Sequence, residues 1–110
     1  MSKDSLGEFE RLVLLAILHL GAGAYGATII QELERRTGRT ASAGAMYVAL
    51  RRLERKGSVA SELGAPSAQR GGRPKRYFTV RPAGLEVLRK AQSEWVAMTR
   101  GLEDLLEPEA

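Results

Sequence analysis

The side chains with chemistry to offer in this chain are cations. Arg51, Arg52 and Arg55 recur within S-A-G-A-M-Y-V-A-L-R-R-L-E-R-K (42–56), and Arg70, Arg73, Lys75 and Arg76 crowd the stretch R-G-G-R-P-K-R (70–76). Guanidinium forks match phosphate oxygens and the acceptor edge of guanine. This is recognition chemistry, not bond-making chemistry. No nucleophile–base pair, no paired carboxylates in a pocket-like context and no strand-to-helix glycine cradle can be found, and the chain has no cysteine and one histidine. The G-G-R-P run falls inside a hairpin pattern and not before a helix, so it is not a nucleotide cradle. We therefore expect no enzyme, no metal and no cofactor.

The first cationic stretch is patterned as a helix. With Leu50 at zero and 100° per residue, Met46, Ala49, Leu50 and Leu53 share one arc, while Gly44, Val48, Arg51, Arg52 and Arg55 share the opposite one. Tyr47 lies on the flank. Ser42 is suited to the N-cap and Gly57 to the C-terminal stop. The outer face is slim at its start, at Gly44, Ala45 and Val48, so the backbone there can approach base edges and phosphates closely. The arginines follow one turn later. A solvated arginine face is the alternative on the helix alone; the neighbouring loop favours recognition.

That loop joins two short strands. S-V-A-S-E-L (58–63) alternates, with Val59 and Leu63 expected inward, and Lys75 to Val80 is aromatic and β-branched. Between them, residues 64–74 hold turn chemistry and no core residue. A hairpin with a basic tip suits phosphate or minor-groove contact. Helix, strand, loop and strand in this order read as the recognition helix and wing of a winged helix-turn-helix.

The preceding elements fit that frame. A first helix is expected from about Leu6 to Leu20, with Leu6, Phe9, Val13, Ala16, Ile17 and Leu20 at helical spacing. Extra leucines at 12, 14, 15 and 18 point to burial on a second side, as between a domain and a partner subunit. His19 is expected as a half-buried residue or a helix-terminal cation. The glycines at 21, 23 and 26 make a corner in which Tyr25 packs in the core or meets a phosphate. A second helix follows from about Ala27 to Thr37, with Ile29, Ile30 and Leu33 inward and Gly38 as its stop.

From Pro82 to about Leu106 the spacing predicts one long helix, about 35 Å at 1.5 Å per residue. Leu88, Ala91, Trp95, Met98, Leu102 and Leu105 form an a/d seam, which we read as a dimerisation face. Trp95 sits mid-seam, either as interface core or lining a pocket for a flat apolar effector. The expected division is residues 1–81 for DNA binding and 82–110 for dimerisation; the fold class is mainly α (α+β).

Charge is segregated along the chain. Residues 36–90 carry 13 Lys and Arg against 3 acidic residues, whereas residues 1–35 and 91–110 are net negative; the whole chain is +4. A basic segment between acidic ends is a footprint for a polyanion. No apolar run reaches the roughly 18 residues of a membrane span. The Leu12–Leu20 run lacks a basic leader and reads as a core helix, so a cytoplasmic protein is expected.

Four segments in order, L-G-E-F-E-R-L-V-L-L-A-I-L (6–18), A-Y-G-A-T-I (24–29), S-A-G-A-M-Y-V-A-L-R-R-L-E-R-K-G (42–57) and G-G-R-P-K-R-Y-F-T-V-R-P-A-G (71–84), resemble the PadR family of bacterial transcriptional regulators. The short C-terminal helix resembles the smaller subgroup. The resemblance implies a homodimeric winged-helix repressor on an inverted-repeat operator, released in some members by a small ligand. It places the recognition-helix start at Ser42, Gly44 and Tyr47, wing cations at Arg73, Lys75 and Arg76, and an aromatic pocket residue at Trp95. Ala43 stands where the family often has proline, and Arg81 where it usually has a capping threonine. The leading expectation is a sequence-specific repressor of double-stranded DNA relieved by a small hydrophobic or aromatic effector. The alternatives are a nonspecific architectural DNA-binding protein and a winged-helix protein–protein adaptor.

Overall fold

The structure is a computed structural model that describes residues 7–65 and 74–108. Its elements run α1 (Glu8–Leu20), a 3₁₀ turn (Gly21–Gly23), α2 (Gly26–Thr37), α3 (Ala43–Arg55), β1 (Val59–Leu63), β2 (Arg76–Val80), α4 (Pro82–Thr99) and α5 (Glu103–Leu106). Three helices and a two-stranded antiparallel sheet make the winged helix; α4 and α5 follow it.

The core is the meeting of the apolar faces that helical spacing defines. Val13, Leu14, Ala16 and Ile17 of α1 pack with Ile29 and Leu33 of α2 and with Met46, Ala49, Leu50 and Leu53 of α3. Leu15 and Leu18 stay exposed, so α1 does carry an apolar second side. Leu6 lies outside the described residues, and the helix begins at Glu8. His19 is exposed in the last turn of α1, at the carbonyl end of the helix; the half-buried alternative does not hold.

The corner after α1 does more than turn. Phe78 N–H donates to the Ala24 carbonyl at 2.8 Å, and Tyr25 bridges Tyr77 antiparallel. A third strand is thus reduced to one bridge, which ties the α1–α2 corner to the wing. Thr28 caps α2 by accepting from Tyr25 N–H through Oγ1 at 3.0 Å. Gly38 ends it in the left-handed region (φ 74°), a conformation that glycine adopts without steric cost.

In the hairpin, Val59 pairs with Val80 and Leu63 with Arg76. Val59 and Phe78 are buried, but Leu63 is 57 % exposed. The expectation that Leu63 points into the core is corrected. Alternation puts it on the face of Val59, but the hairpin has by then run past the helices beneath it.

The last helix is also corrected. Pro82 starts it as expected, with Arg81 at the N-cap offering no side-chain bond. It ends at Thr99, giving about 27 Å. Gly101 then turns the chain at φ 90°, and Leu102 N–H closes the turn onto the Thr99 carbonyl at 2.8 Å. The seam therefore does not extend over one helix: Leu102 lies in the turn and Leu105 on the separate α5. Sequence spacing alone cannot reveal that a glycine within a heptad pattern leaves the helical region. Among the described residues no helix is long and apolar enough to cross a membrane.

Candidate nucleic-acid interface

The expected division of α3 is present residue for residue. Met46, Ala49, Leu50 and Leu53 are buried, and Gly44, Val48, Arg51, Arg52 and Arg55 face solvent. Tyr47 belongs with the outer group at 62 % exposed. Ser42 Oγ accepts from Ala45 N–H at 3.0 Å, so the N-terminus is set by the residue that spacing had picked. The amides of Ala43 and Gly44 precede the first helical hydrogen bond and are free for an anion. Arg51 lies with its guanidinium 5.9 Å from the Tyr47 ring centroid, stacking cation on aromatic at the outer face.

Beside this face runs a groove of about 590 Å³ between α2, α3 and β2. Its floor is apolar, with Ile30, Met46 and Leu50, and Arg51, Lys75 and Arg76 also line it. A groove of this kind, cationic beside the outer face of a helix, can seat a phosphate backbone while the helix reads base edges.

Two wing cations are held in place. Lys75 Nζ donates to the Tyr25 hydroxyl and lies 3.7 Å from that ring's centroid. Tyr25 in turn meets Tyr77 edge to face, centroids 5.5 Å apart. Tyr25 therefore sits half-buried at a junction of α2 and β2, with its hydroxyl engaged by the wing. Arg76 Nη1 donates to Ser61 Oγ at 3.1 Å, and Ser61 Oγ donates to Glu54 Oε2 at 2.7 Å. This relay from wing to α3 joins three polar residues that sequence spacing does not link. Arg70 and Arg73 lie outside the described residues.

Charge is also arranged behind the interface. Glu32 accepts from Arg35 at 2.7 Å and from Arg36. The Arg36 guanidinium first, then that of Arg35, holds the Glu32 carboxyl below the ordinary carboxylate range, against the opposing effect of burial. Among the described residues no group of three or more His, Cys, Asp or Glu could hold a metal ion.

A second groove, about 920 Å³, lies between α1 and α4. Leu12, Leu15, Leu18, Leu88, Trp95 and Met98 line it. Trp95 is 63 % exposed. The structure thus brings the second side of α1 together with Leu88, Ala91, Trp95 and Met98 of the expected seam, and leaves Leu102 and Leu105 apart from the groove lining. The α1 contribution to this surface was visible in the sequence only as surplus leucines.

The model of the Transcriptional regulator PadR-like family matches residues 14–90. The fold is similar to a PadR family transcriptional regulator from Eggerthella lenta DSM 2243, at 31 % identity and TM-score 0.67, covering 93 % of this chain and 88 % of that one. It is also similar to a PadR-like transcriptional regulator from Bacillus cereus strain ATCC 14579, at 24 % identity and TM-score 0.70, covering 92 % and 93 %. A PadR family transcription regulator from Clostridium difficile R20291 aligns at 23 % identity and TM-score 0.68, covering 89 % and 98 %. A search of curated proteins finds no match.

Proposed function

Because the chain belongs to the PadR-like family of transcriptional regulators, and so is a DNA-binding regulator and not an enzyme, we propose that it is a homodimeric, sequence-specific repressor acting in the cytoplasm on an inverted-repeat operator. The observation that carries this reading is the two-sided α3: four buried residues on one arc, and a slim N-terminus followed by exposed arginines on the other.

In this reading residues 1–81 bind DNA and residues 82–110 dimerise. The start of α3 (Ser42, Gly44, Tyr47, Val48) enters the major groove, with Arg51 and Arg52 reaching guanine edges or flanking phosphates. The backbone passes along the groove between α3 and β2, and the wing (Arg70, Arg73, Lys75, Arg76) engages the adjacent phosphates or minor groove. Two copies join through Leu88, Ala91, Trp95 and Met98 of the C-terminal segment, with Leu15 and Leu18 of α1 completing the face, which takes these apolar side chains out of water. The dimer sets two reading heads about one helical turn apart, 34–36 Å, on a palindrome. The α1–α4 groove, roomy and aromatic, is the place for a small hydrophobic effector whose binding biases the spacing of the heads.

The test is a titration against DNA from the promoter of the protein's own gene and a scrambled duplex of equal length, at two salt concentrations, with stoichiometry recorded. Promoter preference at two chains per site is the expected result, with log affinity falling about 0.9 per phosphate contacted for each unit of log salt. Equal, salt-sensitive binding to both duplexes would favour an architectural role, and no binding at low salt would defeat the DNA-binding reading.

A further inference from the structure

The recognition helix is gripped on both sides by a single turn of α1. Ahead of α3, Arg39 Nη1 donates to Glu8 Oε1 at 2.7 Å, and its guanidinium lies 5.6 Å from the Phe9 ring centroid. Behind α3, Lys56, its C-cap residue, donates from Nζ to Glu10 Oε1 at 2.9 Å. Three consecutive residues of α1 thus reach both flanks of the helix that faces DNA in the reading above, on which this inference rests.

The two contacts differ in kind. Glu8 and Arg39 are both substantially exposed, a pair that salt screens. Glu10 is 6 % exposed; its Oε1 also accepts from Gly7 N–H at 3.2 Å, and its Oε2 is buried with no hydrogen-bond partner among the described residues. A carboxylate in that position is stable only while its cation stays with it. The rear contact is therefore an anchor and the front one an adjustable stay. Glu8 also lines the α1–α4 groove, so the front stay begins on the wall of that groove.

We propose that Glu8 and Glu10 are positioning residues for DNA recognition: a two-point clamp through which α1 sets the angle of α3. They act through Arg39 and Lys56 and do not touch DNA. Base readout demands geometry held to about 0.5 Å and 10–20°. Phosphate attraction tolerates far looser geometry, because it follows charge. Loosening the clamp should therefore erode the preference for the right sequence and spare binding to any sequence. A folding defect would lower both together.

The experiment uses the full chain. Wild type first selects its preferred duplex from a random-sequence library; affinities for that duplex and for a scrambled one are then measured for Glu8→Gln, Glu10→Gln and the swap Glu8→Arg with Arg39→Glu, alongside thermal midpoints. Glu8→Gln should lower the preference about threefold to fivefold, the scale of an exposed ion pair, with scrambled binding unchanged or tighter and the midpoint little moved. Glu10→Gln should lower it by more. The swap, which rebuilds the pair at constant net charge, should restore most of the preference. Unchanged preference in both single variants would overturn the clamp. So would a swap no better than Glu8→Gln, which would place Arg39 on the DNA itself, or losses on both duplexes that follow the thermal midpoint. If wild type enriches no sequence, the sequence-specific reading fails, and the clamp with it.

Discussion

Gly84, in the first turn of α4, lies so close to Ser58 that a Cβ there would stand 2.4 Å from the Ser58 carbonyl oxygen. The same carbonyl accepts from Arg81 N–H at 2.9 Å, and Ser58 is itself bound through its amide to the Leu53 carbonyl. The end of α3, the start of β1 and the start of α4 are thus joined at one buried backbone point. A residue held through both its amide and its carbonyl has little room to give way. Gly84→Ala should therefore destabilise the protein by about 1–3 kcal/mol, the usual range for overpacking, read as a lowered denaturation midpoint.

Two leucines separate core from edge. Leu53 is fully buried among the helices, whereas Leu63 is on the same hairpin arm as Val59 but mostly in water. Leu53→Ala should cost about 2–5 kcal/mol, and Leu63→Ala about 0.5 kcal/mol or less, by chemical denaturation. Equal costs would contradict the placement of the hairpin end.

Arg51 is exposed, with its guanidinium stacked on the Tyr47 ring at the outer face of α3. Arg51→Ala should leave the thermal midpoint unchanged and weaken operator binding by about 1–3 kcal/mol, with Arg73→Ala similar in size. Tyr47→Phe should cost less than either. Isothermal or fluorescence titration at fixed salt distinguishes these.

Glu32 makes stability depend on pH. Its carboxyl is held below the ordinary range by Arg36 and Arg35, so the folded state favours the charged form. The resulting stabilisation is complete above the ordinary carboxylate pKa, about 4.3, and is lost as pH falls through the lowered folded value. Wild type should therefore exceed Glu32→Gln in thermal midpoint at pH 7, and the difference should close in strong acid. A constant difference across that window would exclude the ion pairs as its source.

Leu15 stands on the outer side of α1 at the edge of the groove that Trp95 lines. If this face joins two copies, Leu15→Glu should leave each chain folded, yet shift the sedimentation mass from two chains to one and reduce operator affinity. A variant that remains a dimer would move the interface elsewhere.

Much of this protein is legible from residue order. The division of α3 into a buried and an outer arc follows from apolar residues at positions 46, 49, 50 and 53, because helical period converts spacing into direction. Ser42 as N-cap and Gly38 as stop follow from local hydrogen bonding and sterics, and the concentration of charge in residues 36–90 needs no fold at all to be seen. The same local logic failed where reach mattered. Alternation put Leu63 on the inner face of β1 but could not tell where the helices beneath it end, and heptad spacing carried α4 through Gly101, where the backbone turns away.

What tertiary structure alone decided is which distant groups meet. Lys75 binds Tyr25 across 50 positions, Lys56 binds Glu10 across 46 and Arg39 binds Glu8 across 31. Each is a polar residue that would pass for surface in the sequence. Their partners are set by how α1, α2 and the hairpin dock once their apolar faces are buried, and hydrophobic burial, being non-directional, specifies that a face is covered without naming the charges brought together at its rim.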